Sequence, residues 1–216
     1  MISRLTAFNL ALLLSFNFFA YDTPLSDEAI REAYFLGQRH DQTLVSFLDR
    51  YSRYFPIPKT GPHISSITFL TPYAAFAESS SHHIGAYSAQ EALLDYRARP
   101  ETIKIIVEIH LTTSYGQFLS PSEAPASSDL TPRPHDFWKD FEIQVSAGNR
   151  ALAPATFHGY PTSVCGRGSQ GDCSLTGARL ELDFPANSFP SDSITVKVIP
   201  PVGSPVWAEF QSSRLR

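Results

Sequence analysis

The strongest constraint on what this chain can fold into is a two-residue periodicity. Ile103, Ile105, Val107, Ile109 and Leu111 fall on one side of an extended segment, and Thr102, Lys104, Glu108 and His110 on the other. Successive side chains of a strand point to opposite faces, so this pattern predicts a strand with one buried face. The alternation returns at Phe141, Ile143 and Val145, at Leu180, Leu182 and Phe184, and at Ile194, Val196 and Val198. A last strand is expected over 206–210, reached through a turn that contains Pro200, Pro201, Gly203 and Pro205, so the chain closes with a hairpin. Strands with one polar face and turn-rich links pair antiparallel, and several of them together favour a sandwich.

Ahead of most of these strands the period lengthens. Ser26 stands as an N-cap before DEAIREAYFLG, with Asp27 and Glu28 at the positive end of the helix and Gly37 at its close. From Asp41, residues Leu44, Val45, Phe47, Leu48, Tyr51, Tyr54 and Phe55 recur at intervals of three and four, which predicts a helix over 41–55 stopped by Pro56 and Pro58. Residues 64–76 read as a strand followed by a turn. Ser88 and Glu91 have capping-box spacing at the start of a further short helix that ends before Pro100. The expected class is therefore α+β: a mainly antiparallel β-sandwich, Ig-like in size, with an N-terminal helical segment packed on it. Helices segregated from the main run of strands argue against a doubly wound sheet. Between 119 and 136, Pro121, Pro125, Pro132 and Pro134 with four serines predict a long surface loop.

Residues 1–20 contain one cation, Arg4, and then an apolar run from Leu5 to Ala20. The run is too short and too polar for a comfortable membrane span and has the order of a secretory signal peptide. Cleavage is expected after Ala20, although Phe18 occupies a position that favours a small residue. Retained uncut, the segment would be an anchor, which is the one expected route to a membrane. The organisation read from the sequence is a signal peptide over 1–20, a helical segment over 21–58 and a β-rich domain over 59–216, secreted or periplasmic. The two cysteines, Cys165 and Cys173, lie in CGRGSQGDC, and an oxidising compartment would join them as one disulfide. Gly166, Gly168 and Gly171 have GxGxxG spacing, but the strand-like alternation that follows is wrong for a dinucleotide site, which needs a helix there.

A formal charge of −4 over 216 residues without a long Lys/Arg run excludes a general nucleic-acid binder. With 43% hydrophobic and 18% charged residues, disorder throughout is excluded as well. The nucleophile-elbow spacing GxSxG is missing, since Ser169 follows Arg167 where the first glycine belongs, and HExxH is missing too. Three groups remain as candidates. His82 and His83, adjacent in ESSSHHIG, could join His63 or a carboxylate around zinc, while a solvated loop is the plainer account. His110 shares a strand face with Glu108 and Lys104, a cluster suited to acid/base work or merely the wet side of a sheet. Asp136, Trp138 and Asp140 in RPHDFWKDF set two carboxylates beside an aromatic ring, the pattern of a sugar subsite or a glycosidase, while anchoring of the loop by Phe137 and Trp138 is the plainer account. The reading the sequence supports is an exported, non-enzymatic module that binds a protein or cell-envelope component through loops or a sheet edge and calls for no cofactor. The alternative is a secreted carbohydrate-binding protein or hydrolase built on Asp136, Trp138 and Asp140.

Overall fold

A computed structural model describes residues 21–83, 85, 87–116, 133–165, 173–189 and 191–216. The apolar leader 1–20, most of the Pro/Ser-rich loop and the three glycines of the GxGxxG spacing lie outside the described residues.

The first helix, α1 (Asp27–Gly37), begins where the Ser26 hydroxyl accepts the Ala29 amide, and Asp27 and Glu28 complement its positive end. Gly37 serves packing more than termination. It lies against α3 (Pro72–Ser81), and a Cβ there would overlap the Ala77 carbonyl.

The next helix is shorter than its spacing predicts. α2 (Gln42–Asp49) buries only Leu44 and Phe47, and the chain then becomes the short strand β1 (Ser52–Tyr54). The expectation of a helix over 41–55 is corrected at Asp49. Beyond it Tyr51 is buried and its carbonyl accepts the Phe69 amide, while Ser52 to Tyr54 pair with Ser66 to Thr68 of β2 (His63–Leu70). A sheet edge open for pairing outweighs a weak local helical preference. Val45 and Tyr54, both placed on the apolar stripe by their spacing, are exposed.

The turn expected after β2 is instead α3. Thr71 caps it by accepting the Ala74 amide, and Pro72 occupies the first turn, where its missing N–H costs nothing. α4 (Ala89–Arg97) carries the expected capping box: the Ser88 hydroxyl accepts the Glu91 amide at 3.2 Å, and the Glu91 carboxylate accepts the Ser88 amide at 2.8 Å.

The remaining elements are strands: β3 (Thr102–His110), β4 (Glu142–Ala147), β5 (Arg150–Leu152), β6 (Thr156–Cys165), β7 (Cys173–Pro185), β8 (Ser193–Ile199) and β9 (Val206–Gln211). The protein is α+β with two antiparallel sheets, ordered β1-β2-β3-β7-β6 and β5-β4-β8-β9. Helices and strands are less segregated than the sequence suggests, because α3 and α4 intervene between the paired strands β2 and β3.

The centre of the core lies between the sheets. Phe69 of β2 stacks on Phe210 of β9 with centroids 5.5 Å apart, and Phe189 meets both Phe69 and Phe184 at 5.4 Å. On β3, Ile103, Ile105, Val107 and Ile109 are fully buried, and so is Ile106 on the opposite face. Each such side chain contributes about 1.5–3 kcal/mol by leaving water. α3 lies against β2 and β3, and α1 against α3 and α4. Among the described residues no helix is long and apolar enough to cross a membrane.

Candidate functional site

Among the described residues β6 ends the five-stranded sheet and pairs only with β7, from Thr156 opposite Asp183 to Cys165 opposite Cys173. Cys165 and Cys173 are joined by a disulfide. β3 accompanies β7 only as far as Gly177, so the last residues before the disulfide form a two-stranded ribbon. Nearly all of β6 is exposed, including three large apolar side chains: Phe157 at 42%, Tyr160 at 50% and Val164 at 64%. Pro161 fits here because an edge strand can turn a position without an N–H toward solvent.

The two faces of β6 differ. On one, the Trp138 indole meets Phe157 edge to face at 5.6 Å and lies over Gly159, where a Cβ would overlap the ring. On the other, Tyr160 stands opposite Arg179 and His158 opposite Glu181, which places both beside a charged network. Lys104 donates to Glu181 at 2.9 Å and sits 3.6 Å from Asp183. Arg179 reaches Glu181 at 2.8 Å, Glu108 at 2.9 Å and Glu78 of α3 at 3.7 Å.

Burial works against charge on Lys104 and Arg179, but the hydrogen bonds to Glu181 and the surrounding carboxylates outweigh it and hold both above their ordinary pKa. Burial likewise disfavours the Glu181 carboxylate, yet the Arg179 and Lys104 hydrogen bonds hold it below the usual range. These groups keep their charge through neutral pH, whereas a general acid or base needs a pKa near the working pH. The Glu108 and Lys104 part of the expected acid/base cluster is thus engaged in ion pairs. His110 stands at the strand end, exposed, its ring 5.9 Å from that of His63.

The three histidines proposed as a metal set are not brought together. His63 opens β2, where its Nε2 hydrogen-bonds the Phe55 carbonyl at 2.9 Å. His82 caps the far end of α3, 3.8 Å from Glu78, and His83 packs on Tyr87 at 4.0 Å between centroids. Among the described residues no group of three or more His, Cys, Asp or Glu side chains could hold a metal ion. The flexible loop expected to carry the histidine pair is in part the end of α3, where His82 is the C-cap residue.

Asp136, Trp138 and Asp140 lie at a 3-10 turn over Phe137–Asp140. Phe137 is buried between Tyr115 and Phe141, with centroids 6.4 and 6.2 Å away. Asp136 is paired with Lys139 at 3.0 Å, and that hydrogen bond holds its carboxyl below the usual range. Trp138 is occupied by Phe157 and Gly159, and Lys139 approaches its ring at 5.7 Å. The aromatic residues here fasten the returning chain to the body.

β6 has no counterpart among the strands expected from the sequence. The signals that could have found it are the two cysteines, which imply a hairpin, and the β-rich composition of TFHGYPTSVC. Compared with known proteins, the chain matches no family, no individual protein and no solved structure.

Proposed function

We propose that the chain is an exported, non-enzymatic module, an Ig-sized β-sandwich with its helices laid on one sheet, that binds a protein of the cell envelope by accepting an extended segment along β6. In this reading residues 1–20 are the export signal, 21–58 the helical segment and 59–216 the β-rich domain. The observation that carries it is the edge strand β6, with Phe157, Tyr160 and Val164 exposed along it and its end tied to β7 by the Cys165–Cys173 disulfide. An added strand would satisfy the outer backbone groups of β6 and cover those three side chains. The disulfide limits the ordering entropy lost on binding and suits an oxidising compartment, secreted or periplasmic. Contact with a membrane would require the leader to be retained. A sugar or hydrolase site on Asp136, Trp138 and Asp140 has less support, because the indole is already packed and Asp136 already paired.

The test is a photo-crosslinking residue placed at Val164 or, as a control on the other sheet, at Gln144, in cells producing the full chain. A discrete adduct from Val164 outside the cytosol, without one from Gln144, supports the proposal. No adduct, or equal adducts from both positions, overturns the docking surface. Intact chain recovered from the cytosol with both thiols free overturns the export.

A further inference from the structure

Among the described residues β1 ends the larger sheet on the side away from β6, and β9 ends the smaller sheet. Residues of both strands, with the 3-10 turn over Ser212–Arg214 that follows β9, line a cleft of about 490 Å³, within the range for ligand sites. Three arginines lie along it: Arg50 at the end of α2, Arg53 on β1 and Arg214 in the turn. Ser193, Glu209 and Gln211 line it from the smaller sheet.

Among the described residues none of these three arginines pairs with a carboxylate, whereas Arg39, Arg97, Arg179 and Arg216 each do. Aromatic rings hold two of them instead. Arg50 lies over Phe47 at 5.3 Å and Arg53 over Phe210 at 5.1 Å, an attraction that places a guanidinium without using up its N–H donors. One Arg53 nitrogen donates to the Arg50 and Ser52 carbonyls at 3.2 and 2.9 Å, and its other two remain for a ligand.

The neighbouring carboxylates do not cancel this charge. Glu209 is exposed and is the one carboxylate lining the cleft among the described residues. Asp192 feels the Arg214 charge, but its oxygens accept the Ser213 amide at 2.5 Å and the Ser213 hydroxyl at 2.9 Å. Glu32 is taken by Arg216, and Asp49 faces the Tyr54 hydroxyl. Three guanidiniums against one carboxylate give the cleft an excess of two positive charges, on a chain whose formal charge is −4.

A phosphate monoester meets that excess. Near neutral pH it carries a charge of about −1.5 to −2 and presents three strong acceptor oxygens, which suit the planar, forked donors of arginine. A single carboxylate brings one charge and two oxygens. The Ser193 hydroxyl and the Gln211 amide offer further donors of the kind an ester oxygen accepts.

We infer that this cleft binds a phosphate monoester group, with Arg50, Arg53 and Arg214 donating to its oxygens. The group can arrive on a soluble ester or on a lipid headgroup, and the test separates the two. The site lies at the opposite edge of the larger sheet from β6 and stands whether or not a partner docks there.

Protein-observed NMR of the full, disulfide-bonded chain tests it with glycerol phosphate as the soluble probe and acetate and succinate as carboxylate controls, all at one ionic strength because salt screens exposed charges. Sedimentation with phosphatidylcholine vesicles that contain phosphatidic acid, against phosphatidylcholine alone, tests the lipid source. Saturable binding is expected for at least one of the two phosphate probes, and which one binds assigns the source; glycerol phosphate would shift the Ser193 and Gln211 amides. Arg53→Gln and Arg214→Gln are each expected to weaken binding about fivefold to tenfold, the range for one charge-assisted hydrogen bond partly screened by water. Arg150→Gln, on β5 at the other edge of the smaller sheet, removes the same charge and is expected to leave binding unchanged, while Glu209→Gln is expected to tighten it. The inference is overturned if neither phosphate probe binds saturably, if succinate binds as tightly as glycerol phosphate, if Arg150→Gln weakens binding as much as Arg214→Gln, or if Arg53→Gln and Arg214→Gln both bind as the parent does.

Discussion

β3 and β6 belong to one sheet with only β7 between them, yet they are opposite kinds of strand. β3 carries fully buried side chains on both faces, while β6 is wet along almost its whole length. Pairing explains part of this, because β3 is flanked by β2 and β7, whereas among the described residues β6 pairs with β7 alone. The rest lies in coverage: α3 lies against β2 and β3 on one face and the second sheet meets β2 through Phe69 and Phe210 on the other, whereas β6 has the Trp138 indole laid over Phe157 and Gly159 and stays exposed along most of its length. Layers formed by distant segments decide which strand becomes core and which stays available.

The sharpest way to break this comparison is to truncate Phe69. Phe69→Ala should cost about 3–5 kcal/mol in urea denaturation; a cost under 1 kcal/mol would mean that the two sheets do not share a core at that point. Removing the disulfide with Cys165→Ser and Cys173→Ser comes next. For a loop closed across a sequence separation of 8 the chain-entropy account gives about 2.5 kcal/mol, with the far-ultraviolet spectrum unchanged because the ribbon lies outside the main core. Gly159→Ala should cost about 1–3 kcal/mol by displacing the indole, and the tryptophan emission should move to longer wavelength as Trp138 enters water.

A smaller effect belongs to acid. The folded Glu181 carboxyl sits below its ordinary pKa, so its contribution is complete above about pH 4.3 and is lost as pH falls through that value and then through the lowered folded one. Glu181→Gln should flatten the dependence of the urea midpoint on pH in this acid range; an unchanged slope would show that the network is not coupled to folding. The smallest effect is expected from Val164→Ser, within about 0.5 kcal/mol. A larger loss would show that β6 is covered in solution and would erase its contrast with β3.

The same contrast explains what could be read from the sequence. β4, β8 and β9 show one wet and one dry face, and their alternation survives in the residue order, as it does on β3 apart from the buried Ile106. α1 and α4 announce themselves through Ser26 and through Ser88 with Glu91, because a cap is a local interaction. β6 is exposed along most of both faces, so little alternation is imposed on it, and Gly159 and Pro161 weigh against a strand reading. α3 was hidden by Pro72, which reads as a turn after a strand but also suits the first turn of a helix behind Thr71. The helix over 41–55 overran because Tyr51 is buried by contacts to β2, which keeps the spacing apolar past the true end. The charged network was half legible: Lys104 and Glu108 lie on an evident polar face, but their partners Glu181 and Arg179 are 77 and 71 residues away.

β7 runs unbroken for 13 residues, from the disulfide into the interior of the larger sheet. A pull on the stapled tip along the strand axis would therefore load the ladder between β7 and β3 sideways, since antiparallel hydrogen bonds lie across the strands. Many bonds would share that force together, where a pull across the sheet would open them one at a time. The mechanical strength of the ribbon thus depends on the direction from which it is drawn.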